Sequence, residues 1–165
     1  MNSCVFPGSF DPMTCGHLNL IQRAAAIFEE VSVTVMINRD KCGVIPLEER
    51  VSLIRKACGH IPNVRVELWD GLLADYIRLH PGAVVVRGVR SVGEFEREKA
   101  AAMINRQLNP GLETFLIPAA DEWEGLSSTT VREIASFGGD ISGYVPDTIY
   151  SQVLKWLLPK EKGKK

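Results

Sequence analysis

Short apolar runs alternate with amphipathic stretches along almost the whole chain, and this alternation predicts strands and helices in turn. Asn2 to Phe6, Val31 to Ile37, Val64 to Leu68, Ala83 to Val86 and Thr114 to Ile117 read as strands. Between them, apolar residues recur at helical spacing. Leu18, Ile21, Ala25 and Phe28 share one face, and Leu47, Val51, Ile54 and Cys58 form a second stripe that Pro46 is placed to open at its first turn. Leu72 to Leu79 reads as a short helix ended by Pro81, and Glu94 to Leu108 as a longer one stopped by Asn109-Pro110-Gly111. Ser127 to Phe137 and Pro146 to Leu158 read as closing helices, with Gly138-Gly139-Asp140 between them. Strands made so uniformly of Val, Ile and Leu belong to a parallel sheet covered on both faces, with right-handed crossovers. The expected fold is therefore α/β: a doubly wound five-stranded parallel sheet with helices on both faces and C-terminal helices. Residues 1–158 form one expected domain, followed by a charged, disordered tail at 159–165.

Composition narrows the possible partners. At 165 residues and 45% hydrophobic, the chain is long enough for one substantial core and too short for two ordinary domains. A net charge of −1 and a pI near 6.3 give no global field for nucleic acid or an anionic membrane, so anion binding has to come from locally placed cations. No apolar stretch approaches the ~18 residues of a spanning helix, and no signal core is visible, so the expected location is cytoplasmic. The four cysteines, Cys4, Cys15, Cys42 and Cys58, contain no C-x-x-C pair and are expected to be reduced. No metal-ligand spacing is found among them and the three histidines, so no protein metal site is expected. Cys15, close to a helix start, is a candidate for a lowered thiol pKa.

Candidate chemistry collects in the segment Phe6-Pro7-Gly8-Ser9-Phe10-Asp11-Pro12-Met13-Thr14-Cys15-Gly16-His17, a loop at the carboxyl end of the first strand that leads into a helix. Unpaired N–H groups and the helix dipole make such a place suited to phosphate. The plainer reading is a turn in which Gly8, Pro12 and Gly16 serve backbone geometry and Thr14 caps the helix. A second segment, Leu126-Ser127-Ser128-Thr129-Thr130-Val131-Arg132-Glu133, again puts hydroxyls and backbone donors at a helix start with a cation one turn in. Two such sites suit one triphosphate. Arg87 and Arg90, at the end of an apolar strand, suit bidentate phosphate binding, although arginines paired with Glu94 or Glu96 would look the same. Asp11 and Glu98 are candidate magnesium or ribose partners.

Pro7-Gly8-Ser9-Phe10-Asp11-Pro12 with Gly16-His17, Arg87-Gly88-Val89-Arg90 and Ser127-Ser128-Thr129, together with Leu47-Glu48-Glu49-Arg50, Phe95-Glu96, Asn105 and Trp123, resemble bacterial phosphopantetheine adenylyltransferases in order and spacing up to about Leu158. The resemblance implies a Rossmann-like fold and adenylyl transfer from ATP to 4′-phosphopantetheine. It further implies magnesium carried by ATP, a homohexamer, and coenzyme A as a feedback ligand. By the same resemblance, Ser9, Lys41, Leu73 and Arg87 hold phosphopantetheine. Ser9, Phe10, His17, Gly88, Val89, Arg90, Glu98 and the run Trp123, Glu124, Gly125, Leu126, Ser127, Ser128 and Thr129 hold ATP. His17, Lys41 and Arg90 are the expected catalytic groups. Ser9 stands where many members have threonine, Arg132 where lysine is frequent, Cys15 where other polar residues occur, and Ala100 where glutamine is common. An acceptor phosphate is already anionic at neutral pH, so the expected reaction is direct in-line attack without a protein base or covalent intermediate. Two other readings stay open at this level: a related nucleotidylyltransferase acting on nicotinamide mononucleotide or a phospho-alcohol, and a non-catalytic nucleotide-binding module.

Overall fold

The computed structural model describes residues 2–37, 39 and 43–158, so the tail expected at 159–165 lies outside the described residues. Five strands run β1 (Ser3–Gly8), β2 (Glu30–Met36), β3 (Val64–Trp69), β4 (Val84–Val89) and β5 (Thr114–Pro118). The helices are α1 (Cys15–Ala25), α2 (Leu47–Ala57), α3 (Leu73–Leu79), α4 (Val92–Leu108), α5 (Ser128–Ser136) and α6 (Tyr150–Leu157), with a 3-10 turn at Asp121–Trp123. All pairings are parallel and the strand order is β3-β2-β1-β4-β5, the doubly wound, Rossmann-like arrangement expected.

Alternation along each strand divides the core in two. Cys4 and Phe6 of β1, Val31, Val33 and Val35 of β2, and Val86 of β4 pack beneath α1, α2, α5 and α6. Val5 and Val85 face the other way, against Ala74, Tyr76 and Ile77 of α3 and against Leu112. Ser32 and Thr34 of β2 are also buried, and the Tyr76 hydroxyl reaches Ser32 Oγ at 3.4 Å and bonds Glu67 as well.

The strand order reverses between β1 and β4, and there the pairing is short. Only Cys4–Val84 and Val5–Val85 are matched, whereas β1 stays paired with β2 as far as Gly8–Val35, and β4 with β5 as far as Val89–Pro118. The crevice beyond the last β1–β4 pair is where ligands bind in sheets of this type. Arg87 spans it, donating from Nη1 to the Pro7 carbonyl at 2.5 Å.

Of the boundaries that differ from the sequence reading, three have a plain physical cause. Strand β4 continues through Arg87 and Gly88, because β5 goes on supplying partners, so Arg87 lies inside the strand instead of after it. Helix α4 starts at Val92, two residues early, because the Ser91 hydroxyl accepts from Glu94 N–H and caps it. Pro146 does not open α6. Its carbonyl accepts from Ile149 N–H at 3.0 Å in a turn anchored by the buried Val145 and Ile149, and the helix begins at Tyr150.

Candidate active site

The loop after β1 is held tightly. Phe10 has φ of 48°, in the left-handed region that bulky residues rarely occupy, and its side chain is only 2% exposed. Its ring lies so close to Gly8 that a Cβ there would come within 2.9 Å, and it meets the His17 ring edge-on with centroids 5.2 Å apart. Burial of the ring and its two neighbours holds a backbone conformation that costs on the order of 1 kcal/mol or more.

Thr14 caps α1, and His17 is its partner in the cap. The Thr14 hydroxyl accepts from His17 N–H at 3.2 Å, while Thr14 N–H donates back to His17 Nδ1 at 3.1 Å. An imidazole thus fills the place that Glu or Gln usually takes in a capping box. Because Nδ1 is an acceptor in this arrangement, the proton of the neutral ring is assigned to Nε2. Burial pushes the His17 pKa down to about 4, and the guanidiniums of Arg90 and Arg87 act in the same direction against a smaller opposing effect of Glu94. The cap therefore holds His17 as a neutral N–H donor at its own helix start.

The unfolded histidine takes up a proton near pH 6.5 whereas the folded one resists until about pH 4. The stability difference is fully present above pH 6.5 and is lost as pH falls toward 4, reaching about 3 kcal/mol there. An NMR titration of the ligand-free protein is expected to show the His17 ring neutral, with Nε2 protonated, at pH 5.5. A midpoint above pH 6 would contradict this environment.

His17 lies on the wall of two adjoining cavities. A cavity of about 170 Å³ has Ser9, His17, Arg87, Arg90, Glu98 and Trp123 around it. Gly16 lets the 3-10 turn come close, since a Cβ there would stand 3.3 Å from Trp123 Cβ. A second cavity, of about 510 Å³, is shared by Ser9, His17 and Arg90 with Ser127, Ser128 and Thr129. The two helix starts that the sequence singled out thus face one space. Ser127 caps α5 by accepting from Thr130 N–H at 3.0 Å, and Ser128 Oγ donates to the Pro12 carbonyl at 2.7 Å, joining the two turns directly.

Both arginines are already paired. Arg87 donates to Glu98 from Nε at 2.9 Å and from Nη2 at 2.6 Å. Arg90 donates from Nε to Glu94 at 3.0 Å, also bonds it through Nη2, and reaches the Leu126 carbonyl with Nη1. The Arg90 hydrogen bonds hold the Glu94 carboxyl below the usual range. Glu98, expected among the ATP contacts, enters the site as the counter-ion of Arg87.

The remaining expected residues are spread more widely. Gly88 lines the smaller cavity, and Phe10 does so with its ring. Val89, Glu124 and Gly125 line grooves that meet these cavities at Arg90, and Leu126 borders the smaller cavity. Leu73 opens α3 and packs against the second core cluster, bordering neither main cavity. Lys41 lies outside the described residues. Asp11, by sequence a candidate magnesium or ribose partner, is 7% exposed and accepts from Val44 and Ile45 N–H at 2.9 Å each. Cys15 is not an activated thiol, because burial raises its pKa and Asp147 and Glu122 raise it further.

Arg50 was missed. It is 6% exposed on the buried face of α2 and donates from Nε to the Ile45 carbonyl at 2.6 Å and from Nη1 to the Ser9 carbonyl at 3.2 Å. The signal was available, since Arg50 lies three residues from Leu47 and four from Ile54 on the apolar stripe, where a charge requires partners. Among the described residues no group of three or more His, Cys, Asp and Glu is placed to hold a metal ion.

Residues 5–134 match the cytidylyltransferase-like family. A phosphopantetheine adenylyltransferase from Heliobacterium modesticaldum is 43% identical over 164 residues, which cover 99% of this chain and 98% of the relative. One from Cupriavidus taiwanensis is 46% identical over 160 residues, 97% of each chain. Among solved structures, a bifunctional NMN adenylyltransferase/ADP ribose pyrophosphatase from Francisella tularensis superposes with a TM-score of 0.72 at 15% identity, over 94% of this chain and 49% of that one. That likeness concerns the fold. The full-length identities and the site at the sheet's reversal point lead to one conclusion: the chain belongs to the cytidylyltransferase-like family and, within it, to the phosphopantetheine adenylyltransferases.

Proposed function

We propose that the protein transfers the adenylyl group of ATP to 4′-phosphopantetheine, giving dephospho-coenzyme A and pyrophosphate. The observation that carries this reading is the single cavity shared by His17, Arg90 and Ser127 to Thr129 at the end of β1 and β4. A phosphate oxygen of the acceptor attacks the α-phosphorus in line, and the bond to the bridging oxygen of pyrophosphate breaks. Charge grows on the non-bridging oxygens, where the Nε2–H of His17 donates without first having to lose or gain a proton. The first-turn N–H groups of Ser128 and Thr129 receive the departing phosphates, with Arg132 one turn further on. Arg90 and Arg87 join as phosphate oxygens compete with Glu94 and Glu98 for their guanidiniums.

Magnesium is assigned to the triphosphate and not to the protein. The carboxylates nearest the cavities, Asp11, Glu94 and Glu98, are each engaged by cations, which supports that placement. Bound there, the ion neutralises phosphate charge. By resemblance, Lys41 sits between the two reacting phosphates and Leu73 contacts phosphopantetheine. We also assign a homohexamer, coenzyme A as a feedback ligand, and a cytoplasmic location. For assembly, the support is α4, a 17-residue helix with no buried residue and with Val92, Met103 and Ile104 exposed. Among the described residues no helix is long and apolar enough to cross a membrane.

A pyrophosphate-release assay with a panel of phosphorylated acceptors tests the reaction. Magnesium-dependent release is expected with ATP and 4′-phosphopantetheine, and much slower release with nicotinamide mononucleotide. Binding of ATP and phosphopantetheine without release would favour a non-catalytic module.

A further inference from the structure

We propose that Asp11 is a positioning residue for the transfer, its buried carboxylate locking the loop after β1, the segment before α2 and the start of α5 into one frame around the larger cavity. This rests on the reading of that cavity as the site of adenylyl transfer. Two backbone donors and two guanidiniums converge on the carboxylate. Oδ1 accepts from Ile45 N–H at 2.9 Å and stands 3.5 Å from Arg50 Nε, while Oδ2 accepts from Val44 N–H at 2.9 Å and stands 3.9 Å from Arg132 Nη1. The side chain is 10% exposed and that of Arg50 7%, so this is an interior junction.

The backbone around Asp11 is tied by the same elements. Arg132 Nη1 donates to the Asp11 carbonyl, Ser128 Oγ to the Pro12 carbonyl at 2.7 Å, and Arg50 Nη1 to the Ser9 carbonyl at 3.2 Å. Ser9, Val44, Ser128 and Arg132 all line the larger cavity, so a shift of any one segment changes the distance between His17 and the α5 donors. Of the carboxylate's roughly four acceptor positions two take backbone N–H groups, and two guanidiniums stand within ion-pair distance as counter-charges. Magnesium or ribose would compete there with two cations already held against Asp11. Asparagine has the same shape but would turn its own N–H₂ toward a backbone donor or a guanidinium, so the junction selects for charge as well as shape. Gly43 belongs to it too, since a Cβ there would come within 1.5 Å of Arg50 Nη2 and 2.9 Å of Asp11 Oδ2.

The test compares the native full-length chain with Asp11→Asn in steady-state kinetics, in magnesium titration and in amide exchange. Misplacement by about 1 Å costs on the order of 10²-fold, so kcat is expected to fall roughly 10- to 100-fold. The KM for ATP should stay within about threefold and the magnesium midpoint within about twofold, as expected for lost positioning without a lost metal contact. Val44 and Ile45 amides should exchange faster than those of β1. If Asp11→Asn does not fold, Asp11→Glu, which keeps the charge but moves the carboxylate off its two N–H donors, carries the same expectations. A folded variant with native kcat overturns the proposal, and so does a large shift of the magnesium midpoint, which would make Asp11 a metal ligand. A native chain that releases no pyrophosphate would instead sink the assigned reaction. The Val44 and Ile45 amides then decide alone, and native exchange in Asp11→Asn would overturn the junction.

Discussion

His17→Ala is expected to lower kcat by about 10²–10³, roughly 3–4 kcal/mol of transition-state stabilisation, while changing the KM for ATP only slightly. The expectation rests on what the ring does in the free protein. Its Nδ1 is held by Thr14 N–H, so the opposite edge carries the only polar hydrogen of the ring, and the ring lines both cavities. A donor fixed this way needs no reorganisation as charge develops on the α-phosphate. His17→Asn separates the two roles of the residue. Its short amide can return a hydrogen bond to the Thr14 cap but cannot place a donor where Nε2–H stands, so it should recover stability and not turnover. Recovery of kcat in His17→Asn would assign the loss to the cap instead.

Arg50→Ala is expected to cause the largest loss of stability of any single change considered for this site, about 3–5 kcal/mol, because it leaves a buried carboxylate short of its cation. Two interior carbonyls, those of Ile45 and Ser9, lose their donors in the same step. For a chain of this length, each kcal/mol corresponds to roughly 2–4 °C in Tm, so thermal denaturation should show a drop on the order of 10 °C. Arg50→Lys keeps the charge without the planar fork and should fall between the two. A Tm for Arg50→Ala within about 2 °C of native would mean that the ion pair contributes little, as pairs open to water commonly do.

What the sequence revealed and what it hid follow from the range of the interactions. Among the described residues periodicity locates every strand and α-helix, though not the 3-10 turn at Asp121–Trp123, because burial against the sheet is written into each segment's own alternation. It placed His17 and Ser128 at helix starts for the same reason. It could not see that Ser128 bonds Pro12, 116 positions away, or that Asp11 takes N–H groups 33 and 34 positions on. Asp11 thus reads as a candidate magnesium or ribose partner, whereas its carboxylate is buried against those N–H groups. Strand β4 was cut short at Val86 because Arg87 and Gly88 break the apolar run. Gly88 is nevertheless a strand residue, required because a Cβ there would stand 2.2 Å from Leu20 Cδ1 of α1. Pro146 carried a helix-start signal that the buried side chains of Val145 and Ile149 overrode. For Arg87 and Arg90, the two readings offered by the sequence prove compatible: both are paired with carboxylates, and both line the cavity in which phosphate is expected.

The turns at His17 and Ser128 are expected to hold the same triphosphate. Titrating the 15N-labelled protein with a non-hydrolysable ATP analogue and magnesium tests it most directly. The amides of Gly16, His17, Ser128 and Thr129 are expected to shift together along one binding curve. Movement of one turn alone, or two curves with different dissociation constants, would contradict it.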